Sequence, residues 1–268
     1  MRHQRPCIFC GRHGNKSKEH FYPEWLREFI ATYGVHNSAT TVTQLGNAPK
    51  VLTGSSRRQG HLITKKFRVV CESCNNGWMS QIESAVKPIL LAGVHGVELS
   101  LDREKQRNLA AWVCLKAMVC EHSDPKLAST PFVDRHAFYN DRLIPEYFRL
   151  YIGAHSTNSV TWVYRHSATI SFDRTTRPVL LDGLQRNVQT TTFILGRLLF
   201  HLLAARVDGF GLDTDLIYPG LTGLWPAGDG EIKTKDLRLL DTPQLRKVMM
   251  SFEAYLTHQR PTFVEAVI

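Results

Sequence analysis

A chain of 268 residues, 43% hydrophobic and 21% charged, has the make-up of a folded globular protein, which excludes disordered, collagen-like and low-complexity classes. It holds no run of about eighteen apolar residues, which excludes a membrane-spanning helix. The net charge is +9 and unevenly spread: residues 1–90 carry 13 Lys and Arg against 5 Asp and Glu, whereas residues 91–268 carry 20 against 19. A basic first third is the footprint expected of a polyanionic partner, nucleic acid foremost.

The N-terminus, Met1-Arg2-His3-Gln4-Arg5-Pro6, reaches a cysteine with no apolar h-region of a secretory signal. The expected compartment is the reducing cytoplasm, where the six cysteines read as metal ligands or buried thiols rather than disulfides. Residues 7–12, Cys7-Ile8-Phe9-Cys10-Gly11-Arg12, read as a tight knuckle, followed by a polar loop over 13–18 and then Glu19-His20-Phe21-Tyr22-Pro23. A short helix is expected over 23–31, with Pro23 in its first turn and Trp25, Leu26, Phe29 and Ile30 at helical spacing. Residues 34–60, rich in Gly, Ser, Thr and Asn, are expected to form an irregular exposed insertion, and 61–70 a strand. From Cys74 onward, Trp78, Met79, Ile82, Ala85, Val86, Ile89 and Leu90 predict a helix that Pro88 kinks in its last turn and Gly93 stops. Within it, Gly77 suits close packing. Asp102 is placed to cap a helix over 103–121, and a further helix is expected over 133–141. Strands are expected at 148–154 and 160–172. Val188 to Ile194 is strand-like, Leu198 to Ala205 reads as either strand or helix, and a last helix is expected over 243–257. The fold class predicted is α+β, with a zinc-binding unit over 1–92 and a second α+β unit over 93–268.

Two Cys-x-x-Cys pairs, Cys7/Cys10 and Cys71/Cys74, are the strongest chemical signal. Two thiolates at that spacing bite one zinc ion from a tight turn, and a second pair at a helix start completes the tetrahedron. The sixty residues between Cys10 and Cys71 exceed the spacing of roughly fifteen to twenty common in compact zinc motifs. Arg57, Arg58, Lys65, Lys66 and Arg68 form the densest basic cluster, which suits either phosphate neutralisation or a solvated face. Cys114 and Cys120 lie six apart on a helix and read as buried thiols.

The order Cys-x-x-Cys, acidic-His-x-x-Pro, Cys-x-x-Cys-Asn at a helix start resembles the HNH endonucleases, whose core is a ββα-metal (treble-clef) finger. The run Cys74-Asn75-Asn76-Gly77-Trp78 also resembles a group of bacterial proteins with an HNH-like N-terminus. The nuclease resemblance covers about residues 7–90 and implies a metal-dependent endonuclease acting on phosphodiester bonds, DNA first. It implies that His20 is the general base, and that Glu19 with Asn75, or Asn76, offers oxygen ligands to a catalytic Mg²⁺ or Mn²⁺. Zinc on the four cysteines is then structural. The family's further Asn between its His and the second Cys pair has only Asn37 and Asn47 as counterparts here. Adjacent residues of a regular strand point to opposite faces, so Glu19 and His20 serve one phosphate only where the chain is irregular. The alternative reading is a non-catalytic zinc module that binds nucleic acid or protein.

Overall fold

The structure, a computed structural model, describes the chain except for residues 1–4, 30–35, 38–39, 43–51, 55–57, 60–63, 157–162, 172–182, 185, 208–219, 260–262 and 268. It is mixed α+β. Two short strands near the N-terminus, β1 (Glu19–His20) and β2 (Lys66–Phe67), pair antiparallel with Glu19 opposite Phe67 and His20 opposite Lys66. Among the residues described, β2 is the whole of the strand expected over 61–70. The expected helix at 23–31 is a 3₁₀ turn over Glu24–Glu28, with residues 30 and 31 outside the described set. Within 34–60, expected to be irregular, His36–Asn37 pairs with Arg58–Gln59 and Thr40–Val42 with Leu52–Gly54.

Helical structure begins just after Cys71 with Glu72–Cys74, continues through Asn75–Met79, and extends as α1 (Ser80–His95). Gly77 departs from helical geometry, with φ −94° and ψ −113°, and so kinks the run. Nothing lies within 4 Å of the place a Cβ would take there, so close packing is not its role. Pro88 lies within α1, and the helix passes through Gly93 to end at Gly96, whose φ of 69° is the left-handed closure glycine adopts readily. Gly93 instead marks a close approach: a Cβ there would lie 2.2 Å from Leu198 Cδ1.

Helix α2 (Arg103–Glu121) begins where Asp102 accepts a hydrogen bond from the Lys105 amide at 2.9 Å. Helix α3 (Phe132–Asp141) and helix α4 (Thr242–Gln259) match the remaining helical segments to within two residues at either end.

The larger sheet is built from β3 (Phe148–His155), β4 (Val163–Ser171), β5 (Val188–Leu195), β6 (Leu198–Ala205), β7 (Thr222–Trp225), β8 (Leu239–Leu240) and β9 (Phe263–Val267). Its path runs β7-β3-β6-β5-β4-β9 with antiparallel neighbours, and β8 joins β3 in parallel. Leu198 to Ala205 is therefore a strand, the return arm of a hairpin in which Leu195 faces Leu198. Both faces of that hairpin are covered. Phe193, Leu195, Phe200 and Leu202 pack into the core shared with α1 and α2, while Ile194, Leu199 and Leu203 pack with Leu245 and Val248 of α4. The first of these cores is continuous from Cys7 and Phe9 through α1 and α2 to Leu224 and Leu237.

Candidate metal centre

The knuckle at 7–10 is closed by backbone bonds from the Gly11 amide to the Cys7 carbonyl and from the Cys7 amide to the Arg12 carbonyl, each 3.0 Å. Gly11 carries the φ of 70° that this return needs. The Ile8 amide donates to the Val69 carbonyl at 3.1 Å and the Ser17 amide to that of Val70 at 3.0 Å, which moors the knuckle beside the start of the helical run. Cys71 and Cys74 lie at that start, so a strand exit and a helix entry bring sulfurs 61 residues apart to a contact of 3.6 Å between Cys10 and Cys71.

The four ligand atoms of Cys7, Cys10, Cys71 and Cys74 all lie within 4.8 Å of one another. Among the described residues this is the one grouping of three or more His, Cys, Asp or Glu whose ligand atoms converge in this way. The Cys71 amide donates to the Cys7 sulfur at 3.4 Å. A hydrogen bond from Cys74 and further ones from nearby amides lower the Cys7 pKa to about 4, while burial opposes them. The donor set fits zinc: four soft sulfurs at mutual distances a tetrahedron spans, already arranged to favour a thiolate. These residues would hold the ion as a structural staple.

Aromatic rings back the centre. Phe9 meets Trp78 edge-on with centroids 5.0 Å apart, and Trp78 meets Phe138 of α3 at 5.7 Å. From the same helix, Arg135 Nε donates to the Ile8 carbonyl at 2.9 Å, and the His136 ring bonds the Phe9 carbonyl at 2.9 Å. The Arg142 guanidinium, 4.4 Å from the ring centre, covers the Trp78 face. The knuckle is thus held from beyond residue 92 as well as from within the first third.

Glu19, His20 and Asn75 each have protein partners. The Glu19 carboxylate is turned inward, where Lys116 Nζ of α2 donates to its Oε1 at 2.6 Å. The same ammonium donates to Glu83 Oε1 of α1 at 2.5 Å and to the His20 carbonyl at 3.0 Å. Burial and the neighbouring Glu83 raise the Glu19 pKa against the pull of Lys116. For Lys116 the balance is reversed: burial disfavours its charge, and the two carboxylates outweigh it, so it remains an ammonium at neutral pH.

His20 takes other partners, with Arg27 Nη2 3.0 Å from its Nε2 and Glu24 Oε1 at 3.8 Å. Burial and the Lys66 cation lower its pKa, leaving the ring neutral near pH 7. Asn75 Nδ2 donates to Ser17 Oγ at 2.7 Å, and Asn76 is exposed. At Glu19, where the resemblance implies a divalent ion, the Lys116 ammonium is held on Oε1.

Of the basic cluster, Lys66 and Arg68 are exposed, while Lys65 is half-buried with its ammonium 5.7 Å from the Phe67 ring centre. Arg57 lies outside the described residues, and Arg58 is described only as a strand position. Three residues of this site escape sequence reasoning: Arg27, Glu83 and Lys116. Lys116 leaves one signal, being the sole charge in the run Leu109-Ala110-Ala111-Trp112-Val113-Cys114-Leu115-Lys116-Ala117-Met118-Val119-Cys120. A lysine in so apolar a stretch needs a buried anion, but the sequence does not say which.

No protein-family model matches the chain, and no curated protein or solved structure matches it either. Among the described residues no helix is long and apolar enough to cross a membrane.

Proposed function

We propose that this protein binds the phosphate backbone of nucleic acid, DNA first, through a zinc-stapled N-terminal unit of the treble-clef type. The observation that carries the reading is the sorting of charge about β1. Glu19 is neutralised inward by Lys116, whereas His20 stands opposite the exposed Lys66 and in contact with Arg27. Arg27 is partly offset there by its ion pair with Glu24 at 3.0 Å, while Lys66, Lys18 and Arg68 are exposed cations along the same stretch of chain. Lys66 and Arg68, both exposed, flank the buried Phe67, which anchors the chain between the two cations. Contacts of this kind hold a phosphate backbone in register without reading base identity.

A second reading, phosphodiester hydrolysis of the HNH type, is favoured by His20. Its lowered pKa keeps the imidazole neutral near pH 7, and a base role needs Arg27 Nη2 to release the Nε2 lone pair it now occupies.

Titrating a DNA duplex at increasing salt tests the first reading. Affinity should fall linearly in a log–log plot, and Arg27→Ala, Lys66→Ala and Arg68→Ala should each make the slope shallower by about 0.9 for every phosphate left without its cation. Salt-independent affinity would sink the reading. Plasmid nicking in Mg²⁺ or Mn²⁺ that His20→Ala abolishes, with zinc content unchanged, would put hydrolysis in its place.

A further inference from the structure

The resemblance to HNH nucleases implies a divalent ion on Glu19, and the structure puts an amine there. Lys116 Nζ lies 2.6 Å from Glu19 Oε1, 2.5 Å from Glu83 Oε1 and 3.0 Å from the His20 carbonyl oxygen. An ammonium has three N–H donors, and these three oxygens take them all. The oxygens come from β1 and α1, and the cation arrives from α2, 97 residues after Glu19 and 33 after Glu83. Two carboxylates and a carbonyl are the hard oxygen donors that Mg²⁺ and Mn²⁺ prefer. Each carboxylate keeps a second oxygen, but an ammonium and a divalent ion on this group would sit side by side in a buried site, where like charges repel strongly.

We infer that the Lys116 ammonium takes the place of the divalent ion at Glu19, so that this chain excludes a catalytic metal from the position where its Glu-His pattern implies one. Burial makes the exclusion firm. The Lys116 side chain is 0% exposed and that of Glu19 6%, so neither swings into solvent to make room. Glu83, at 24%, is the open side through which an ion and its waters would otherwise enter. Charge adds to this: with the ammonium the carboxylate pair keeps one net negative charge, which a divalent ion would overshoot, whereas without it the pair's two charges match such an ion's two and attract it strongly. Exclusion is independent of what the outer basic face binds, and losing DNA affinity in the Arg27 and Lys66 variants would leave it untouched.

The probe is Mn²⁺ alone, added to zinc-replete protein. Free ion is followed by its electron paramagnetic resonance signal, and folding by circular dichroism and zinc content. Wild-type protein should leave Mn²⁺ free. Lys116→Met, which keeps all but the last atom of the side chain's length and drops its charge, should take up one Mn²⁺ per chain at least about tenfold more tightly and melt at a higher temperature when the ion is present. Adding Glu83→Gln to that variant should abolish the uptake. Wild-type protein that binds one Mn²⁺ as tightly as Lys116→Met, and loses it on Glu19→Gln, would overturn the inference, because the ammonium would then yield to the ion. A folded Lys116→Met that takes up no Mn²⁺ would overturn it as well. Should Lys116→Met fail to fold without the ion, recovery of the fold on adding Mn²⁺ supports the inference. Failure of both Lys116→Met and Lys116→Gln to fold with Mn²⁺ present counts against it.

Discussion

Cys71 shows how much one residue does in this site. It is the last residue before the helical run, its amide donates to the Cys7 sulfur, and its own sulfur touches that of Cys10. Four sulfurs within 4.8 Å cannot all be ionised without a cation among them, and four neutral thiols gain little from such crowding. One Zn²⁺ per chain is therefore expected on elemental analysis. Cys71→Ser should lower that stoichiometry sharply and expose the backbone around β2 and the helix start to hydrogen exchange. Unchanged zinc in that variant would remove the ion from this position. At the same scale, Glu19 and His20 illustrate the strand alternation: adjacent residues, one bound inward to Lys116 and the other bound to Arg27.

Among the elements, the β5–β6 hairpin and α1 depend on one another through glycine. The two-residue loop between the strands begins with Gly196, whose φ of 59° is what primed hairpin turns require. A Cβ there would also lie 2.7 Å from Val94 Cα, which is backbone and cannot step aside. Gly196→Ala should therefore lower stability by more than about 2 kcal/mol, strain and overpacking together, as measured by urea unfolding. A loss below about 0.5 kcal/mol would show that the loop and helix give way easily. Gly93 and Leu198 form the adjoining contact, which is why α1 runs through a glycine that by sequence alone reads as a stop.

Across the whole molecule, burial reaches into polar residues. His166 and His201 lie on β4 and β6 under the core shared with α4, and their rings bond Thr190 at 3.2 Å and Thr192 at 2.7 Å. Burial lowers both to about 3, and burial with the Arg135 cation lowers His122 to about 4. A folded-state value below the unfolded one means that the unfolded chain binds more protons. The stability these neutral rings allow is then complete above about pH 6.5 and drains as pH falls toward the folded values, at about 1.4 kcal/mol per pH unit for each ring. Glu19 works in the opposite direction, since its raised pKa favours the folded state on acidification, but it is one group against three. The urea midpoint should drop markedly between pH 7 and pH 5. His166→Gln and His201→Gln should flatten that dependence, which zinc loss alone would not do. A midpoint indifferent to pH over that range would contradict the neutral-ring picture.

What the sequence determined by itself is local chemistry and local periodicity. The Cys-x-x-Cys spacing specifies two bites on a metal because two thiols three apart on a turn face one point. The helix over Arg103–Glu121 is legible from Asp102 as its cap and from Leu109, Trp112 and Val113 as its apolar face. The mixed α+β class follows from such segments. Hydrophobic patterning falls silent where both faces are covered: Leu198–Ala205 is buried at all but its last position, so neither alternation nor a helical stripe survives there to tell strand from helix, whereas the neighbouring Val188–Leu195 is the strand its residues predict. Only the tertiary structure decided which charges meet. Lys116 reaches Glu19 and Glu83 because α2 packs against α1 beneath β1, and no spacing in the chain encodes that crossing. An ion pair buried that deeply persists because neither partner can leave without stranding the other in a medium that solvates it poorly. The residue types were legible in the sequence, and packing alone placed an ammonium where the pattern implied a metal.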